Sequence, residues 1–203
     1  PKGLGLFLWG YAKLSKIHGQ STHLEQIQHL LDLLEKVKST GYSGNCWGYN
    51  FDWRSRTFYV PKFTPTIVNS AFIGHALLDT HEYARLPRAL DMAVSIKDFL
   101  LNDLNRMADG TSFCFSYTPV DRYGVHNANL LGASLLVRLA DVTGDTSLRD
   151  PALSALAYSM KHQRPDGSWP YSEREVFGWI DSFHTGFNLQ AIRYILDAGR
   201  APE

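Results

Sequence analysis

The side chains in this sequence best suited to chemistry gather in three stretches. The first holds Asn50, Asp52, Trp53 and Arg54, the second Tyr117, Asp121, His126, Asn127 and Asn129, and the third Trp179, Asp181, His184 and Asn188. Aromatic rings interleaved with carboxylates and amides suit a sugar, because rings stack on pyranose faces while carboxylates and amides bind hydroxyls. Asp181 and His184, three apart, form the leading acid–base pair, an imidazole that titrates near neutrality beside a carboxylate that tunes it. Asp181 or Ser182 also reads as a helix cap, and a carboxylate can cap a helix and orient an imidazole together. Asp52 is the second acid. Glycoside hydrolysis needs two carboxylates flanking the bond, for which Asp52 and Asp181 are candidates. Epimerisation or β-elimination instead needs a base beside a sugar carbon, a role open to His126, His184 or Tyr117. Asn50, Trp53, Arg54, Asn127, Asn129, Trp179 and Asn188 make up the expected ligand-binding set. No C-x-x-C pair or histidine at finger-like spacing accompanies Cys46 and Cys114, so neither a metal nor a cofactor is expected.

Something must position these three stretches, and the sequence repeats around them. Apolar segments superimpose around a glycine at Leu6 to Leu14 (Gly10), Ser70 to Leu78 (Gly74) and Asn129 to Leu136 (Gly132), with Phe187 to Leu196 as a fourth copy carrying Gln190 there. Each is apolar on most sides, the pattern of a helix buried nearly all round. Between these inner helices run outer ones with a single apolar face, such as Ala89, Met92, Ala93, Ile96, Phe99 and Leu100 at spacings of three and four. Thr22 with Glu25 predicts a capping box at the start of the first outer helix. Pro87 and Pro151 fit first turns, and Thr143-Gly144-Asp145 fits a helix stop.

The turn from inner to outer helix is short, while the return is long and opens on an aromatic, one residue and a tyrosine: Trp47-Gly48-Tyr49, Phe115-Ser116-Tyr117 and Trp169-Pro170-Tyr171. The spacing of 68 and then 54 residues accommodates two helices and their loops. Such a unit buries its apolar faces only against neighbours, and recurring aromatics and glycines in such an array serve packing. The fold class predicted is all-α: one α/α-toroid segment of about three and a half helical hairpins, with units near 1–63, 64–125, 126–183 and 184–203. A closed ring of six hairpins is nearly twice as long. The array is therefore the C-terminal part of a longer barrel, is open, or is completed by self-association. The long loops form the mouth, where polar groups find water. His126 and His184 fall at matching places at the starts of inner helices and are expected to face one cavity. Asp166, between Pro165 and Gly167, is a turn residue.

Bulk composition removes several functions. Lysine plus arginine equal aspartate plus glutamate at 20 each, so no net field steers the chain to a phosphate backbone or an anionic membrane, and no nucleic-acid partner is expected. The longest apolar runs, Gly3 to Tyr11 and Ala128 to Leu136, fall far short of the ~20 residues of a spanning helix, so no membrane insertion is expected. Two cysteines without a disulfide framework are read as buried free thiols of a cytoplasmic protein, with one bridge between them left open.

Longer matches then become visible. The runs Cys46 to Trp53, Thr64-Pro65-Thr66, Cys114 to Pro119, Val125 to Asn129 and Trp179 to Gly186 resemble bacterial exopolysaccharide-biosynthesis proteins of the VpsJ type, over a region from about Gly41 to the end. Those proteins are similar to the six-hairpin glycosidase superfamily, and the resemblance implies an α/α toroid and carbohydrate work. It assigns no catalytic residue. Gln163 to Trp169 also resembles the glutamine-tryptophan motif of triterpene cyclases, where it is structural. The aspartate-rich acid motif of those cyclases and the zinc signatures of lanthionine cyclases are missing. The expectation is a carbohydrate-active protein of exopolysaccharide biosynthesis that binds and processes a polysaccharide or oligosaccharide, as a hydrolase, lyase or epimerase. The alternatives are a noncatalytic glycan-binding or scaffolding subunit and a purely structural helical array.

Overall fold

A computed structural model of the chain describes residues 1–19, 21–54 and 59–198. Its helices are α1 Lys2–His18, α2 Leu24–Lys36, α3 Ile67–Ala84, α4 Pro87–Val94, α5 Ile96–Asp98, α6 His126–Thr143, α7 Arg149–Lys161 and α8 Ser182–Asp197. Pairs α1–α2, α3–α4 and α6–α7 pack as hairpins, while α1 lies on α3 and α6 on α8. Among the described residues this gives four inner helices (α1, α3, α6, α8) and three outer ones, the second outer helix being α4, α5 and a π turn at Phe99–Asp103. The architecture is that of a partial α/α toroid. The chain divides into two compact units, Pro1–Asp103 and Leu104–Glu203.

Burial follows the composition of each helix. α3 is apolar all round and buried from Ile67 through Thr80, and α6 from His126 through Val137. α2 buries one stripe, Ile27, Leu30, Leu31 and Leu34, each such side chain worth roughly 1.5–3 kcal/mol when removed from water. The inner helices α1 and α8 depart from the expectation of all-round burial. α1 exposes Leu6, Phe7, Leu14 and Ile17, and α8 exposes Phe183, Leu189 and Leu196. Among the described residues α1 packs on α3, and α8 on α6.

The glycine expectation needs the same kind of correction. A Cβ on Gly10 would meet open space, whereas one on Gly5 would stand 2.7 Å from Ile73 Cγ1, so Gly5 is where α1 meets α3 closely. Helix ends follow local chemistry more closely. Thr66 caps α3 by accepting the N–H of Asn69, Pro87 opens α4, and Gly144 ends α6 in the left-handed region, φ 75°. The Thr22–Glu25 capping box does not form. α2 starts after His23 in a left-handed conformation, and Thr22 Oγ1 donates back to the carbonyl of His18 at the end of α1.

The long loops carry two antiparallel strand pairs that helical periodicity does not reveal: β1 Trp53–Arg54 with β2 Tyr59–Val60, and β3 Arg106–Asp109 with β4 Ser112–Phe115. The recurring aromatics fasten these loops to the helices. Trp47 is fully buried and its indole N–H donates to the carbonyl of Leu34 in the last turn of α2. Trp169 donates likewise to Ser159 in the last turn of α7. Both satisfy a carbonyl that a helix C-terminus leaves without an intrahelical partner. The backbone N–H of Trp47 donates to Ser70 Oγ, and that of Phe115 to Asn129 Oδ1, with Ser70 and Asn129 each fourth in their inner helices. Gly48, between Trp47 and Tyr49, lies so close to Thr64 that a Cβ would stand 2.1 Å from its carbonyl oxygen. Asp166 is a turn residue, its carboxylate accepting the N–H and hydroxyl of Ser168.

Candidate active site

The start of α8 builds the first cluster. Asp181 caps the helix in extended conformation, Oδ1 accepting the backbone N–H of His184 at 2.7 Å. Its other oxygen, Oδ2, lies 2.6 Å from His184 Nδ1. One carboxylate thus caps the helix and fixes the imidazole, and Nε2 of His184 has no hydrogen-bond partner among the described residues. Partial desolvation pushes the Asp181 carboxyl up, but the His184 backbone N–H, its imidazole and the Phe183 N–H outweigh that and hold it below the usual carboxylate range.

Beside the pair stands an aromatic wall. Tyr171 and Trp179 are stacked with centroids 4.6 Å apart and planes 11° apart, and the Tyr171 ring meets His184 edge-on at 4.6 Å. Their loop is tied across its base, Tyr171 N–H donating to the Trp179 carbonyl and Ser172 N–H to that of Phe177. Phe177 is buried beneath and packs edge-on against Trp179, which is 46% exposed. An exposed ring backed by a buried Phe177 and a half-buried Tyr171 can offer its face to a sugar without rearranging.

His126 is placed differently from His184. It is the first residue of α6 and 1% exposed. Its Nδ1 lies 3.2 Å from Ser159 Oγ and its Nε2 2.6 Å from Glu173 Oε1. Burial lowers the imidazole's proton affinity, opposed by the hydrogen bond and charge of Glu173 and aided by His162. Burial prevails, since almost none of the ring meets water. A neutral His126 donates from Nε2 to Glu173 and accepts at Nδ1 from Ser159, which leaves every polar atom of the ring satisfied.

Near it lies a cavity of about 430 Å³ whose wall includes His162, Arg164, Ser172, Glu173, Arg174 and Glu175. Neither His126 nor His184 is among the residues that line this cavity. The backbone N–H of His126 donates to the Tyr171 carbonyl, so Tyr171 links the two histidines.

The other expected residues are distributed as follows. Asn129 is fully buried, its amide donating to the Ala155 carbonyl and Ser159 Oγ while Oδ1 accepts from Phe115, so both amide hydrogens are already used inside the protein. Asn127 and Asn188 are buried, each with an amide oxygen that has no protein partner among the described residues. Tyr117 is half-buried, its N–H donating to Asp121, whose carboxylate also ties Thr118 and Tyr123 into one loop. Asp52, Asn50, Trp53 and Arg54 belong to the other unit. Asp52 and Asn50 are exposed, Asp52 Oδ1 accepting the N–H of Lys62, while Trp53 and Arg54 form β1 and Trp53 meets Tyr49 edge-on.

Sequence reasoning missed Glu173, His162 and Tyr171 as site residues. Tyr171 lay within the recurring aromatic motif, but nothing acidic stands two residues after Tyr49 or Tyr117 to mark Glu173. Among the described residues, no group of three or more His, Cys, Asp or Glu is arranged to hold a metal ion, and no helix is long and apolar enough to cross a membrane.

Inner helices packed on inner helices, with long loops carrying the polar residues, define an α/α-toroid fold. Among solved structures the chain is similar to a glycoside hydrolase family 76 mannosidase from Bacteroides thetaiotaomicron, with a TM-score of 0.66 and 12% identity over 97% of this chain and 53% of that one. It is also similar to an endo-β-1,4-glucanase from Acetobacter xylinum (TM-score 0.62, 14% identity, 89% of this chain, 56% of that one). A sugar epimerase from a ruminal bacterium is a third (TM-score 0.62, 13% identity, 96% and 58%). The chain spans little more than half the length of each of these three. At such identities the likeness is one of fold. No protein-family model and no curated protein matches the sequence.

Proposed function

We propose that this protein binds and processes a glycan in bacterial exopolysaccharide biosynthesis, with the Asp181–His184 pair as the acid–base group and Trp179 stacked on Tyr171 as the sugar platform. The observation that carries the reading is the 2.6 Å contact between Asp181 Oδ2 and His184 Nδ1 beside an exposed, backed aromatic face. A carboxylate at Nδ1 fixes the tautomer and leaves Nε2 to take or give a proton at the sugar, a contribution of typically 10²–10⁴-fold when such a group is correctly placed. An imidazole base favours epimerase- or lyase-type proton abstraction. The family 76 mannosidase and the sugar epimerase among its structural neighbours support carbohydrate as the substrate class.

Tyr117 and His126 remain proposed contributors, with Asn127 and Asn188 as proposed ligand contacts; within the other unit Asp52 is proposed as an acid, and Asn50, Trp53 and Arg54 as ligand contacts. The exposed apolar residues of α1 and α8 support completion of the barrel by further hairpins or a second copy. The buried free thiols support a cytoplasmic site of action.

The test is incubation with manno-oligosaccharides, β-1,4-gluco-oligosaccharides and uronate-containing oligosaccharides. New reducing ends report hydrolysis, unsaturated products report elimination, and deuterium uptake from D₂O reports epimerisation. His184→Asn should remove turnover. Asp181→Asn should lower it strongly while preserving the helix cap, since asparagine caps as well as aspartate. Turnover unchanged in His184→Asn would refute the acid–base assignment. Binding reported by a tryptophan-fluorescence change that Trp179→Phe removes, with no product of any kind, would convert the reading to a noncatalytic glycan-binding subunit.

A further inference from the structure

Ser159, His126 and Glu173 are strung together by side-chain contacts of 3.2 and 2.6 Å, the residue types of a nucleophilic triad in its usual order. The array is turned inside out. Ser159 is fully buried, and its hydroxyl oxygen accepts an amide hydrogen of the equally buried Asn129. The end that meets solvent is Glu173, whose side chain is 38% exposed on the wall of the 430 Å³ cavity. The working group of this chain of contacts is therefore the carboxylate, with buried histidine, serine and asparagine as its support.

We propose that this cavity is a sugar subsite and that Glu173 is its hydroxyl-binding carboxylate, held in place by His126 as a positioning residue. This rests on the glycan reading above and names a second place where that glycan is held. The volume falls within the range of pockets that enclose small ligands. His126 fixes Oε1, leaving Oε2, which stands 3.7 Å from His162 Nε2, as the acceptor available to a ligand.

Donors surround it. His162 is anchored through Nδ1 at the Tyr158 carbonyl, and Arg164, whose charge also acts on Asp166, stands in the same wall. Arg174 lies over the Tyr123 ring at 4.4 Å. Two arginines and two glutamates balance in charge, which suits neutral hydroxyls better than phosphate or another strong anion. Among the described residues of the wall there is no Trp, Tyr or Phe, so recognition there runs through hydrogen bonds, in contrast to the stacking surface at Trp179.

Calorimetric titration of the oligosaccharide panel above tests this, using the full chain in wild-type, Glu173→Gln, Arg164→Ala and Trp179→Ala forms. Both wall substitutions are at exposed positions, and circular dichroism verifies their folding. Glu173→Gln keeps the side-chain volume but replaces the charged acceptor, and should weaken binding at least tenfold. Arg164→Ala should weaken it less. In the wild type, saturating sugar should shift the His126 imidazole ¹H–¹⁵N signals, and this shift should vanish in Glu173→Gln. If Glu173→Gln binds as the wild type does while Trp179→Ala loses binding, the cavity proposal is overturned and the Trp179 platform stands. If the wild type binds none of the panel, both readings fall.

Discussion

At Asp181 two oxygens do two different things, and no residue without two acceptors could replace it fully. His126 and His184 show the opposite case, the same residue type at corresponding starts of inner helices put to different uses. His184 is partly open and paired with Asp181, while His126 is buried and braces Glu173. The buried state of His126 has a measurable consequence. Burial lowers its proton affinity in the folded chain, whereas the unfolded chain carries an ordinary imidazole near pH 6.5. As pH falls through that value the unfolded state takes up the proton first, so this residue's contribution is fully present above it and declines below. The thermal midpoint measured between about pH 8 and pH 5 should therefore fall on acidification, and His126→Gln should flatten that part of the profile. An unchanged slope in the variant would assign the loss to other groups.

Helices here are joined by loops that behave as fitted parts. Trp47 and Trp169 lie at the same stage of their repeats, and each closes the open end of the preceding outer helix with its indole N–H. The middle repeat has Phe115 there, fully buried but without that donor, and it keeps only the backbone contact, its N–H donating to Asn129 as that of Trp47 does to Ser70. Trp169→Phe keeps most of the ring and removes one hydrogen bond to a helix carbonyl, and should cost about 1 kcal/mol. Trp47→Ala also empties a buried site and should cost roughly 3–5 kcal/mol. Urea denaturation of the two variants gives both values. Equal losses would show that the ring contributes little beyond its N–H.

For the molecule as a whole, the two compact units each contain one cysteine: Cys46 in the first and Cys114 in the second, both free and fully buried. The bridge left open by the sequence is not formed. Burial pushes the Cys46 thiol up to about 12, with Asp103 adding to it, and burial raises Cys114 as well. Thiolate is the reactive form, so neither should react with iodoacetamide in the native protein, and both should be alkylated in denaturant. Mass spectrometry over a urea series then reports each unit by its own cysteine. Alkylation of either one at native rates without denaturant would contradict this burial.

Hydrophobic periodicity by itself determined the alternation of inner and outer helices, because a helix buried all round and a helix buried on one stripe need different sequences, and α3 and α2 have them. Turn chemistry fixed Pro87, Gly144 and Asp166, since each acts through its own backbone. The cap at Asp181 was legible for the same reason. Tertiary structure alone decided that Asn129 braces a loop, that Gly5 rather than Gly10 meets α3, and that Glu173 joins His126. Such partners lie far apart in sequence, 47 residues in the last case, and nothing local encodes which distant side chain a fold will bring within hydrogen-bond reach.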